Sequence, residues 1–194
     1  MLALFRYLTG KAKRRVQKLL MDHGIIKIVS ITLLLCVLLF FLHSLKEVII
    51  ITLLFIAAVF STFYTRLLQF NIGFELRTLL FVITSIHLGM MFGLMLTILA
   101  ILLGTIIAAN FQPTFLVTPL TYLVLAFILP FLKPFSIASI GVVVTIIYNL
   151  ILHTLYKFTF GYPFVQSGPS LIGNLLFNIF IFTNYAQPIS QMLG

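Results

Sequence analysis

Residues 75–110 read ELRTLLFVITSIHLGMMFGLMLTILAILLGTIIAAN, and the fold turns on how this stretch is divided. It opens on Glu75 and Arg77 and then stays apolar from Leu79 to Ala109. As one straight helix at 1.5 Å per residue, that run would be about 47 Å long, against a hydrocarbon core of about 30 Å. The run is too long for one upright span and too short for two. The interruption falls at His87-Leu88-Gly89-Met90-Met91-Phe92-Gly93, where an imidazole and two glycines break the apolar pattern. The stretch therefore predicts a short, half-buried helix over 76–88, followed by a full span over 91–109.

Composition places the chain in a membrane. Hydrophobic residues make up 62% of its 194 positions and charged residues 8%, where soluble domains carry about 25%. Mean hydropathy is +1.24. The apolar runs are continuous, whereas a porin-like barrel shows alternating segments of about ten residues. The expected fold is an all-α, polytopic transmembrane helical bundle of six or seven spans, one of them short or broken. The single Cys36 lies within an apolar run, which leaves no disulfide framework and no thiol metal site.

The net charge of +9 is concentrated at the start of the chain. Arg6, Lys11, Lys13, Arg14, Arg15, Lys18 and Lys27, seven of the twelve Lys and Arg, all lie before residue 28. Positive-inside bias and anionic headgroups account for that cluster without a nucleic-acid partner, and they place the N-terminus on the cytoplasmic face of the cell membrane. Residues 1–24 read as a basic amphipathic segment, either an interfacial helix over 2–20 or a frayed tail. Some 24 residues of such sequence before the first run also argue against a cleaved signal. The bundle takes up 25–194.

Spans are expected near 25–42, 48–64, 91–109, 114–132, 135–156 and 170–185, with corners at His43–Glu47, Asn110–Pro113 and Lys133-Pro134. Residues 65–78, TRLLQFNIGFELRT, carry Arg66, Glu75 and Arg77. Charges are costly at the bilayer centre, so this segment is expected at the interface. On a helix Glu75 and Arg77 would not face each other. They orient the segment at the headgroups, or Glu75 serves as a cation site. Lys133 and Lys157 vote oppositely on topology, which leaves the span count open.

Catalysis needs acids, bases or nucleophiles at workable spacing. The only acids are Asp22, Glu47 and Glu75, none inside a span. Paired-carboxylate and two-metal chemistry are excluded, and no phosphate loop or HExxH is present. No enzyme, metal site or cofactor is expected.

The spans instead carry neutral polar and small residues at helical spacing. Gly89, Gly93, Thr97, Ala100, Gly104 and Ala108 form a small-residue stripe, which suits either internal helix packing or docking of a partner membrane subunit. Thr145, Asn149 and His153 fall four apart on one face beside Tyr148, and Asn174 and Asn178 repeat the spacing on the last span. Thr84, Ser85 and His87 cluster before the glycine break. These groups should point inward, as interhelical hydrogen bonds or as the lining of a pocket for a small neutral solute. The candidate ligand-binding residues are His87, Tyr148, Asn149, His153, Asn174 and Asn178.

Arg77, the run 79–88, GMMFG at 89–93, Gly104-x-x-x-Ala108 and the Asn-bearing SLIGNLLFNIFIFTN loosely resemble the substrate-binding S components of energy-coupling-factor transporters, over about 48–190. The resemblance implies a six-helix core that binds a vitamin or metal ion and docks on an energising module. An extra helix at 25–42, and Asn110 where the family carries an acid, depart from that pattern. A similar plan occurs in MreD-type proteins, which scaffold other membrane proteins; this is the alternative function.

Overall fold

The computed structural model describes Ser30, Ile31, Leu34, Val37 and residues 45–68, 71–108, 113–161 and 164–194, side chains at 113–114 and 164–167 aside. The amphipathic segment expected over 2–20 lies outside the described residues. So does the span expected over 25–42, except for those four helical positions. Residues Met1–His43 and Ser44–Gly194 form separate compact units.

Among the described residues the second unit holds helices joined by turns and short irregular segments, and no strand. Its elements are α1 (Leu45–Phe60), α2 (Tyr64–Leu68), α3 (Arg77–His87), α4 (Met90–Ala108), a 3-10 turn (Pro113–Leu116), α5 (Val117–Leu132), α6 (Ile137–Phe160), α7 (Phe164–Ile181), a π-helical turn (Phe182–Ala186) and α8 (Gln187–Leu193). Three of the described stretches are long and apolar enough to cross a membrane: Leu45–Leu68, Met90–Ala108 and Ile137–Phe160. Val117–Leu132 and Arg77–His87 are shorter apolar helices. At 11 residues, α3 is about 16 Å long, half a bilayer core.

That short helix is the centre of the bundle. Every residue from Arg77 to Ser85 is buried, and α1, α4, α6, α7 and α8 all pack against it. A helix buried on all sides needs no polar face, and TLLFVI at 78–83 supplies none beyond Thr78. Leu88 and Gly89 then turn the chain sharply into α4. Gly89 sits at φ +95°, a conformation a side chain resists, and this ends the short helix. The helix borders expected at the glycine break are met within a residue.

The outer helices turn their apolar side chains outward, as lipid requires. Leu53 on α1, Leu150 on α6 and Leu176 on α7 are exposed, and Phe127 and Phe131 on α5 are 78% and 80% exposed. Helix α6 begins at Ser136, whose hydroxyl accepts the Ser139 N–H, and runs to Phe160. It is longer than the span expected over 135–156. Helix α7 also starts earlier than expected, with Pro169 inside it where the sequence suggests an aromatic loop.

The small-residue stripe of α4 faces inward. Gly93, Thr97, Ala100, Gly104 and Ala108 are all buried. A methyl group on Gly93 would overlap the Ser85 hydroxyl and lie 2.6 Å from the Ser85 backbone nitrogen. One on Gly104 would come within 2.8 Å of the Arg77 guanidinium and 3.0 Å of the Val59 carbonyl. The stripe lets α4 close on α1 and α3 of the same chain, which is the packing alternative. The face expected for a partner subunit is therefore already occupied, and Gly89, the remaining member, is an exposed turn residue.

Candidate functional site

Between α2 and α3 the backbone is non-helical over 71–76, with Gly73 and Glu75 inside the bundle and Asn71 and Phe74 exposed. Gly73, Glu75 and Arg77 are buried. Depth is set by its partners. The Gly73 carbonyl accepts from Asn174 Nδ2 at 3.0 Å, and Asn174 Oδ1 accepts from Asn149 Nδ2 at 2.8 Å. Asn149 is near the midpoint of the 24-residue α6, about 17 Å from either end. Irregular backbone at such depth is tolerated only where protein satisfies it or where it lines a cavity.

Side chains meet most of that demand. The Tyr64 hydroxyl accepts three successive backbone N–H groups, from Ile72 (3.1 Å), Gly73 (2.9 Å) and Phe74 (3.1 Å), and donates to Asn71 Oδ1 at 2.5 Å. Asn71 Oδ1 also takes the Gly73 N–H at 2.7 Å, an Asx turn. The Leu76 N–H reaches Ser61 Oγ at 3.2 Å. Gly73, at φ +91°, fits against α7 because it lacks a Cβ; one would overlap the Ser170 carbonyl and sit 2.5 Å from the Asn174 nitrogen.

Glu75 and Arg77 flank the start of α3. Arg77 Nη1 lies 3.9 Å from Glu75 Oε2, and both side chains are nine-tenths buried. Glu75 precedes the helix, so helical spacing does not separate the pair as expected, and both charged groups are packed within protein. Arg77 Nη2 donates to Thr62 Oγ1 at 2.8 Å, and Asn71 Nδ2 reaches Glu75 Oε1 at 3.4 Å. Glu75 Oε2 and Arg77 Nε have no hydrogen-bond partner. One turn into the helix, Thr78 Oγ1 and Tyr122 OH share a 3.1 Å bond, and the Tyr122 ring lies 5.1 Å from that of Tyr148.

The structure thus brings Asn149 and Asn174 into direct contact, with Tyr148 and Asn178 buried on the same helices. Asn178 Nδ2 turns back to the Asn174 carbonyl at 3.0 Å, which leaves its Oδ1 unpartnered. His153, one turn beyond Asn149, is 4% exposed, stacks edge-on against Tyr156 and has no hydrogen-bond partner at either ring nitrogen. His87 is not part of the group. It ends α3 at the far side of the short helix, where Nε2 meets Ser190 Oγ at 2.9 Å. Helix length separates it from Glu75, because the two occupy opposite ends of α3.

Sequence reasoning missed Tyr64, Asn71, Thr62 and Tyr122. The Asn71-x-Gly73 spacing was a readable turn signal. Nothing local marked Tyr64, whose partners lie 8 to 10 residues away.

No protein-family model matches this chain, and neither curated proteins nor solved structures provide a match. Among the described residues no group of three or more His, Cys, Asp or Glu could hold a metal ion. What stands is an apolar, membrane-suited helical bundle with an irregular segment and an ion pair buried at the head of its central half-length helix.

Proposed function

We propose that this membrane protein is a small-solute-binding, transport-type subunit whose site is the buried segment 71–77 with Asn149, His153, Asn174 and Asn178. One observation carries the reading: a non-helical stretch held deep in an apolar bundle, beside polar atoms that no described protein group satisfies. Buried polar groups are almost always paired with protein, water or ligand. Here Arg77 Nε, Asn178 Oδ1 and both nitrogens of His153 have no hydrogen-bond partner, and Glu75 Oε2 has only the Arg77 guanidinium 3.9 Å away. Broken helices at mid-membrane are a recurrent way to build solute sites, because the freed backbone and the half-helix terminus supply polar contacts where lipid offers none.

The donor and acceptor set selects the solute. Glu75 and Arg77 offset each other, and the asparagines and His153 add neutral groups, so a small, net-neutral molecule with both donors and acceptors fits best. The likeness in plan to energy-coupling-factor S components is in line with this reading. Internal packing of the α4 stripe leaves docking of an energising module and of a scaffold partner equally without that face, and the alternative remains an MreD-type scaffold.

Native mass spectrometry of the detergent-extracted full chain tests the proposal. A small solute should travel with the protein and be lost in Glu75→Gln and His153→Leu variants that still melt cooperatively. A wild-type protein that stays empty after exposure to a metabolite extract, or that arrives only with another membrane protein, would overturn it.

A further inference from the structure

A second concave site lies at the opposite end of α3, where the α5–α6 corner meets α8. Its volume is about 470 Å³, lined by Ile86, Lys133, Phe135, Ser136, Ile137, Ile140, Gln187 and Ser190. That is room for about fifteen waters at about 30 Å³ each. Its lining combines aliphatic and aromatic side chains with an ammonium, two hydroxyls and an amide, and no carboxylate is among the lining residues. Ser190 is fixed from behind by its hydrogen bond to His87.

We propose that this groove binds the phosphate headgroup of an anionic phospholipid. Lys133 joins two apolar helices, so its ammonium belongs at headgroup level, where charged side chains of membrane proteins reside. Gln187 lines the same groove with a free amide to offer, and the Ser136 and Ser190 hydroxyls, held by Ser139 and His87, add polar lining. Basic pockets between spanning helices suit acidic headgroups, each Lys or Arg contributing attraction of order 1 kcal/mol near the surface. The apolar part of the lining reaches lipid. Phe135 lines the groove and is 60% exposed, and Phe131, one turn earlier at the end of α5, is 80% exposed. An acyl chain leaving the groove would meet these rings. Free phosphate would use the cation but gain nothing from the apolar lining, and so lipid is the occupant.

The test is native mass spectrometry of the full chain, in detergent doped with equal amounts of phosphatidylglycerol and phosphatidylcholine. Wild type should retain phosphatidylglycerol preferentially. Lys133→Glu should cut that preference about fivefold or more, and Ser190→Leu, which fills the groove and leaves every charge in place, should lower it too. Lys157→Glu, at the other end of α6, should leave the preference unchanged, because the basic N-terminus is common to all variants. Equal preference in wild type and Lys133→Glu would overturn the proposal. So would equal losses in Lys133→Glu and Lys157→Glu, which would mean bulk charge, or displacement of the lipid by millimolar inorganic phosphate, which would mean an anion site. Lys133 is exposed, so a melting temperature matching wild type would show that the variant is folded.

Discussion

Four glycines allow the packing around segment 71–76 to be separated into two costs. Gly168 has ordinary φ and open space beyond its chain neighbours, but it precedes Pro169, whose ring crowds a preceding Cβ in a helix and offsets the propensity gain, so Gly168→Ala should be close to neutral. Gly89 has φ +95° and equally open space, so Gly89→Ala isolates the backbone cost, about 1–2 kcal/mol. Gly173 has ordinary φ, but its added methyl would overlap the Ile72 carbonyl, a backbone atom that cannot rotate away. Gly173→Ala should therefore destabilise by about 1–3 kcal/mol despite its better helix propensity. Gly73 combines both terms. Gly73→Ala meets φ +91°, the Ser170 carbonyl and the Asn174 nitrogen, and pushing α7 aside also breaks the Asn174–Gly73 bond, worth about 1 kcal/mol. The sum is about 3–5 kcal/mol, or a melting point lower by roughly 10 °C at about 2–4 °C per kcal/mol. Circular-dichroism melts of the purified full chain in one detergent would rank the four. If Gly73→Ala melts with Gly89→Ala, or Gly173→Ala with Gly168→Ala, segment 71–76 is not packed against α7 and the site is not built this way.

Three further outcomes follow from the same geometry. Tyr64→Phe removes the acceptor of three backbone N–H groups, so hydrogen exchange over 71–76 should accelerate about tenfold or more while exchange in α4 holds; unchanged exchange would remove Tyr64 from the design. Arg77→Met should destabilise by about 3–5 kcal/mol by stranding the Glu75 carboxylate, and adding Glu75→Gln should recover much of the loss in thermal melts; strictly additive losses would show that the pair is uncoupled. Asn149→Leu deprives Asn174 Oδ1 of its donor and should cost about 1–2 kcal/mol by the same melts, whereas a neutral effect would mean that water replaces it.

Much of the bundle was legible because long apolar runs and glycine breaks act locally. The short helix over 76–88 and the span after it follow from run length against bilayer thickness alone, and the structure has them at Arg77–His87 and Met90–Ala108. The inward faces of α6 and α7 were legible from the four-residue spacing of Asn149, His153, Asn174 and Asn178. What the sequence could not yield was depth. A polar stretch such as NIGFEL looks like an exposed loop until one knows that Tyr64, Ser61 and Asn174 satisfy its backbone, and those pairings span 8 to 101 residues. His87 shows the converse. Its neighbours Thr84 and Ser85 suggest a cluster, but Ser190, 103 residues away, claims it.

The π-helical turn at Phe182–Ala186 acts as a phase adjuster between the two ends of the bundle. Helix α7 presents Asn174 to the buried segment, and α8 presents Ser190 to His87, within one nearly unbroken helical rod. A π turn holds one residue more than the α-helical path would use. Removing a single residue there would let an ordinary α-helical path join the same two ends and keep both faces, whereas a further residue added on either side, in regular α-helix, would turn α8 by about 100° relative to α7. Phe182, packed over Gly141, anchors the turn itself. Substitutions alter this protein one contact at a time, but a residue inserted beside 182–186 would re-aim a whole face, disconnecting the lipid groove while sparing the solute site.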